Sequence, residues 1–372
     1  MKYLKKFDTH SDYKKFTGST DFVLPNVSVC VNENEVHYNP YYDPILKFTA
    51  EEANSTIQLN RVGTATTLEN AVLQYSTDNG ETWNDYTLGN TITLANVGDS
   101  VKFKGTNKKL GANNSNYHRF SMTGKIKAAG DVTSLFNEVG GDIAMPAYGC
   151  FCLFHNCTSL TAAPALPATT LTSSCYGYMF NKCKSLVTAP ALPAKTLAEE
   201  CYINMFQECT SLVTAPELPA TNLAYSCYLS MFQGCTSLVT APELPATTLA
   251  DYCYSGMFQG CTSLITAPAL PATTLTSSCY FNMFQGCTSL VTAPELPATN
   301  LVEYCYYRMF YDCGNLNYIK AMFTTTPSTT YTNNWVNGVA SSGTFVKNAA
   351  ATWNVTGVHG IPNGWTIETA SA

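Results

Sequence analysis

Seven cysteines of this chain, Cys157, Cys183, Cys209, Cys235, Cys261, Cys287 and Cys313, stand 26 residues apart, and Cys175, Cys201, Cys227, Cys253, Cys279 and Cys305 keep the same step. The repeated unit reads C-x-S-L-x-x-A-P-x-L-P-A-x-x-L-x-x-x-C-Y-x-x-M-F-x-x, with six whole copies from Cys157 to Asp312. A half copy leads in, where Leu153, Phe154 and Cys157 match Met179, Phe180 and Cys183, and Cys313-Gly314-Asn315-Leu316 trails out. A unit of this length cannot enclose a core. Stacked copies bury a shared one, so the repeat predicts a solenoid that folds as a whole.

Within each copy the S-L-V-T-A segment, such as Ser211 to Ala215, is short, β-branched and stopped by a proline, which predicts one short strand per coil. The L-P-A-T-x-L stretch is extended, because proline restricts the residue before it. Cys201, Tyr202, Met205 and Phe206 recur at spacings of one, three and four, the pattern of one to two helical turns with an apolar side inward. Parallel strands about 4.8 Å apart give an array on the order of 30 Å long.

The units MFQGCTSL and MFNKCKSL resemble the BspA-like leucine-rich repeats of bacterial surface proteins, and the version carrying A-P-x-L-P-A resembles arrays of Bacteroidales and of phages that infect them. The resemblance covers roughly residues 145 to 320. It implies a leucine-rich-repeat solenoid that binds something, without naming the ligand.

Outside the array the pattern changes. Alternating runs at Ile45 to Thr49, Thr56 to Leu59, Val72 to Tyr75, Thr91 to Leu94 and Ser100 to Phe103 are bounded by turns at Asp78-Asn79-Gly80 and Val97-Gly98-Asp99, which predicts a small β-sandwich. Tyr75 and Trp83 are expected on strands that pair across the first turn, as core aromatics. Residues 1–43 lack periodicity, although Leu24 to Cys30 would supply a strand. The segments F-D-T-H-S-D-Y, L-P-N-V-S-V-C and V-H-Y-N-P resemble the amino-terminal segment of Bacteroides-phage virion and fibre proteins, which implies an arm that orders on other virion proteins. Residues 317–372 lose the repeat and hold Trp335, Trp353 and Trp365, expected as a cap over the last apolar face. The expected fold is thus mainly β with short helices: an arm at 1–43, a β-sandwich at 44–130, the solenoid at 131–316 and the cap at 317–372.

Charge narrows the partners. Lys plus Arg come to 20 against 26 for Asp plus Glu, with no basic cluster beyond Lys2, Lys5 and Lys6, so nucleic acid is not an expected partner. The start MKYLKKFDTHSDYKKF lacks the apolar region of a secretory signal, and no run of 18 apolar residues exists. Neither export by a signal peptide nor membrane insertion is expected, and the 16 cysteines are expected as reduced, buried thiols.

No motif of hydrolases, zinc proteases or nucleotide-binding loops occurs, and none of the five histidines follows the repeat, so no catalytic residue and no cofactor are assigned. Cys150, Cys152, His155 and Cys157 are the one combination with zinc-ligand chemistry, at an unusual spacing. Glu217, Glu243 and Glu295 form a row without an evident acid–base partner. Positions that vary between copies are expected to face solvent. They include Tyr178, Tyr225, Tyr252, Phe281, Tyr304, Tyr307 and Arg308, a row of aromatics suited to stacking on sugars or anchoring a protein. From Cys157 to Cys313 there are 9 acidic and 4 basic residues, which disfavours an anionic ligand. By resemblance, the expected function is non-catalytic host recognition at a virion surface or tail fibre, as a homo-oligomer contacting a surface protein or glycan; the alternative is a bacterial surface adhesin.

Overall fold

The computed structural model describes residues 28–32, 35–39 and 43–370. Among the described residues the fold is mainly β, with two short helices. Strands β1 (Ser28–Asn32) and β2 (Glu35–Asn39) form an antiparallel hairpin, the first of them where a strand was expected. The rest of the expected arm lies outside the described residues.

Nine strands follow: β3 (Leu46–Ala50), β4 (Ser55–Val62), β5 (Leu73–Ser76), β6 (Asn84–Asp85), β7 (Ile92–Leu94), β8 (Ser100–Gly105), β9 (Gly111–Asn113), β10 (Asn116–Thr123) and β11 (Ile126–Ala129). Helix α1 (Ser134–Asn137) and strand β12 (Leu160–Ala162) come next, and the chain ends through β13 (Tyr318–Ala321), α2 (Thr329–Thr332), β14 (Thr344–Lys347) and β15 (Thr366–Thr369). One sheet runs β7-β4-β10-β9 and another β12-β11-β3-β8-β5-β6. Alternation sends Leu46, Phe48 and Ala50 of β3, and Ile57 and Leu59 of β4, into the interior. The two sheets meet at Phe48, Phe103 and Phe120, whose rings lie 5.0–5.9 Å apart.

Tyr75 pairs with Asn84 across the β5–β6 turn and packs edge-on against Tyr86. Trp83 departs from the expectation: it is half-buried, with the Lys104 ammonium 4.6 Å from its ring. The turn between them places Asn79 and Gly80 at positive φ, where an Asn-Gly pair is least strained.

His118 on β10 is fully buried and neutral by construction: Ala71 N–H donates to its Nε2, and Nδ1 faces the Leu110 carbonyl at 3.0 Å. Burial pushes its pKa below the usual histidine range. A group with a lowered folded pKa supplies stability above its unfolded pKa and withdraws it as pH falls through the folded value. The melting temperature is therefore expected to drop on acidification below about pH 6.5, and less so in His118→Gln. Equal slopes in a Tm-against-pH series would contradict this.

The β region passes into the repeats without a break. Ile126 pairs with Leu160 in parallel, and single-residue parallel bridges then link Ala162, Thr188, Thr214, Thr240, Thr266, Thr292 and Tyr318. Each middle unit thus contributes one bridging residue where a short strand was expected; the following proline, which has no N–H, ends the pairing. Two columns of rings run beneath. From Phe120 and Phe154 through Phe180, Phe206, Phe232, Phe258, Phe284 and Phe310, neighbours stack at 5.4–5.8 Å. Tyr176, Tyr202, Tyr228, Tyr254, Tyr280 and Tyr306 stack at 5.8–6.0 Å.

The C-Y-x-x-M-F segments are not the helical turns that their spacing predicts. Glu200, Asn204 and Glu208, like their equivalents in other units, have positive φ, which interrupts any helical ladder every fourth residue. The amide hydrogens then alternate. Tyr202, Asn204, Phe206 and Glu208 donate to the next unit at 2.7–3.1 Å, whereas Ile203, Met205, Gln207 and Cys209 donate three residues back within their own turn at 3.1–3.3 Å. Apolar residues at one, three and four look helical in the sequence because this chain of turns also buries every third or fourth side chain.

The cysteines complete the packing. The thiols of Cys157, Cys183, Cys209, Cys235, Cys261, Cys287 and Cys313 each donate to the carbonyl of a phenylalanine 29 or 37 residues earlier, at 3.0–3.1 Å. All fifteen cysteines from Cys150 to Cys313 are buried and unpaired. Burial pushes Cys157, Cys227 and Cys313 up to about 12. At pH 8 the native chain is therefore expected to expose fewer than about two of these thiols to a thiol reagent, with the rest reacting only after unfolding. A count below about fourteen in the unfolded, unreduced chain would mean disulfides and contradict the packing.

The spatial repeat outlasts the motif. Strands β13 and β14 pair in parallel at an offset of 26 residues, and β14 and β15 at 22. Trp335, Trp353 and Trp365 are buried in these last turns, and each indole N–H donates to a backbone carbonyl, of Gly360, Phe323 and Ala340 respectively. With their faces in the core they complete the last apolar layer.

Candidate recognition surface

The stacked turns fix where the variable side chains point. Each residue before the second cysteine of a unit, and each residue three beyond that cysteine, has positive φ, and burial at these places varies with the residue: Ser174, Ser226 and Ser278 are buried whereas Tyr304 is exposed. Tyr225 and Tyr304 are 46% and 38% exposed, while Tyr178, Tyr252, Phe281, Tyr307 and Arg308 are half-buried.

The expected single row resolves into three groups. Tyr178 packs on Phe151, 5.6 Å away, which also meets Tyr117 and Tyr148, at the junction with the β region. Tyr225 and Tyr252 meet edge to face at 5.7 Å. The third group is the tightest: Phe281 and Tyr307 lie parallel at 4.6 Å, Tyr304 stands edge-on to Tyr307 at 5.8 Å, and the Arg308 guanidinium lies 5.4 Å from Tyr307 and 5.3 Å from Tyr311. Such a cluster joins flat apolar area to a fixed cation, the chemistry of an anchoring surface.

A second surface escaped the sequence reading. Val187, Val213, Val239, Ile265 and Val291 occupy a position that hardly changes between copies, yet they are 39–56% exposed. Beside them stand the bridging Thr188, Thr214, Thr240, Thr266 and Thr292, also exposed, so the stack carries an uncharged β-branched ribbon. Constancy here follows from the bridge: a β-branched residue suits the extended backbone on either face. Alternation did not mark it: in L-V-T only the leucine is buried, and the valine and threonine that follow are both exposed.

The four candidate zinc ligands are not brought together. Cys157 donates to the Phe120 carbonyl, Cys152 lies against the Tyr117 hydroxyl, Cys150 sits in the core beside Cys175, and His155 is half-buried near Asn181. Among the described residues no group of three or more His, Cys, Asp or Glu side chains is placed to hold a metal ion. Glu217, Glu243 and Glu295 remain exposed; Glu295 pairs with Lys320 at 3.1 Å.

Comparison with family models, with curated proteins and with solved structures found no match.

Proposed function

We propose that this chain is a non-catalytic recognition protein, a BspA-like leucine-rich-repeat solenoid borne on a phage virion surface or tail fibre. Residues 1–43 attach it to other virion proteins, and the array meets a protein or glycan on the bacterial host. The observation that carries the reading is the Phe281–Tyr307–Tyr304–Arg308 cluster, displayed on a stack whose every unit is fixed by rings, thiols and inter-unit hydrogen bonds. A rigid scaffold loses little side-chain and backbone freedom on binding, which favours recognition by a few aromatic anchors. The β-sandwich supports the first unit, and the tryptophan-rich end closes the last.

The test is immunogold labelling of purified phage particles and of Bacteroidales cells with antibody against residues 157–313. Gold at a tail or capsid supports the reading. Gold confined to the cell envelope overturns the virion assignment in favour of a surface adhesin.

A further inference from the structure

We infer that the valine–threonine ribbon of the array is an interface between two copies of this chain, paired ribbon to ribbon about a two-fold axis. The inference goes beyond the recognition reading and depends on no particular target.

Val187, Val213, Val239, Ile265 and Val291 are five of the twelve large apolar side chains exposed among the described residues, and they stand in line, one per unit. Parallel bridges join the adjoining Thr188, Thr214, Thr240, Thr266 and Thr292 from unit to unit, and the amides of Val213 and Ile265 donate to the carbonyls of Val187 and Val239 at 3.3 and 3.2 Å. The backbone thus holds the ribbon in register. Its two ends are polar. One unit before Val187, the equivalent Thr161 is half-buried, and its hydroxyl donates to the Glu51 carboxylate at 2.7 Å. One unit beyond Val291 the equivalent residue is Asn317. An apolar strip bounded by polar groups is the anatomy of a protein–protein contact.

Size, charge and repetition select a second copy as the occupant. At 39–56% exposure the five aliphatic side chains offer roughly 350 Å², and the five exposed threonines bring one ribbon to about 600 Å². Two ribbons face to face bury about 1,200 Å², above the roughly 1,000 Å² that a specific interface needs. None of these side chains is charged, so two ribbons meet without like charges, although each chain carries a net −6. An occupant must also match five evenly spaced β-branched side chains. A second copy does so by construction: across a two-fold axis every unit faces a unit of the same repeat, the self-complementarity of an isologous contact.

The test is sedimentation velocity of the full chain, beside a variant carrying Val213→Lys, Val239→Lys and Ile265→Lys. The expected result is a dimer whose dissociation constant rises about a hundredfold or more in the variant, as like charges set face to face entail. Circular dichroism and melting temperature should change little, because all three positions are exposed. A second variant, Val239→Cys, places a thiol at the middle of the five, near its own counterpart in either direction of pairing. The fifteen cysteines from Cys150 to Cys313 are buried, so copper phenanthroline is expected to link this variant as a disulfide dimer. Val97→Cys, at a 65% exposed position of the β region, is the control and is expected to link far less. A chain that stays monomeric, a dimer that the lysines leave intact, or equal linking at 239 and 97 overturns the inference. Each of these outcomes leaves binding to host cells, and with it the recognition reading, to be decided by its own test.

Discussion

Replacing Phe232 by alanine is expected to destabilise the chain by about 3–5 kcal/mol, the range for emptying a fully buried aromatic site. Phe232 is 0% exposed and stacks on Phe206 at 5.7 Å and on Phe258 at 5.8 Å. Truncation removes two ring contacts at once. Neighbouring units cannot collapse into the void, because Phe232 N–H donates to the Met257 carbonyl at 2.9 Å and its own carbonyl accepts the Cys261 thiol at 3.1 Å. Against a total stability of about 5–15 kcal/mol for a typical folded domain, that loss is severe. Denaturant unfolding followed by circular dichroism measures it. Phe281→Ala, on the outer side, is expected to shift the midpoint far less, since a half-buried ring leaves no closed cavity. Similar losses for the two variants would mean that the phenylalanine column is not the core.

The second large effect concerns length. Deleting residues 235–260, one whole unit, joins Gly234 to Cys261 and leaves every ring, thiol and bridge with an equivalent partner. In a quasi-one-dimensional stack this removes one unit and one interface, so the shortened chain is expected to fold cooperatively with somewhat lower stability. Deleting 13 residues, 235–247, sets the Phe column against the Leu-Pro-Ala side and takes the thiols from their carbonyl acceptors. That chain is expected not to fold. The contrast is read by circular dichroism and resistance to proteolysis. Loss of structure in both deletions would contradict unit-by-unit stacking.

How much of this was legible in the sequence varied with how directly a residue type reports its surroundings. The cysteines, Tyr202, Met205 and Phe206 announced the core because nothing but burial explains apolar residues at a fixed period. The backbone that buries them was only partly legible: the position of Glu208 is glycine in three units, Gly234, Gly260 and Gly286, which marks that turn, but the positions of Glu200 and Asn204 adopt positive φ with residue types that differ from unit to unit. Strands β3, β4, β5, β7 and β8 fell where alternation placed them. Strand β10 did not, because its inward residues are His118 and Phe120, and a buried neutral histidine looks like a polar break. Beyond Cys313 the motif vanishes while the parallel pairing continues through β14 and β15. There the Trp335, Trp353 and Phe345 side chains fill the interior that Phe, Tyr and Met fill elsewhere, and the same volume is reached with different letters.

The candidate surface was half legible. Variation between copies found Tyr304, Tyr307, Phe281 and Arg308, which the fold gathers into one cluster. The same criterion passed over Val213 and Thr214, which are constant because of the backbone they occupy and exposed nonetheless.

The most direct measurement is the affinity of the purified chain for intact Bacteroidales cells, compared with a variant carrying Phe281→Ser, Tyr304→Ser and Tyr307→Ser. The account predicts binding by the parent chain and a loss of about tenfold or more in the variant, as removal of clustered aromatic anchors entails, with circular dichroism and melting temperature little changed. Equal binding by the two folded proteins would contradict the claim that this side of the stack is what the protein presents to its target.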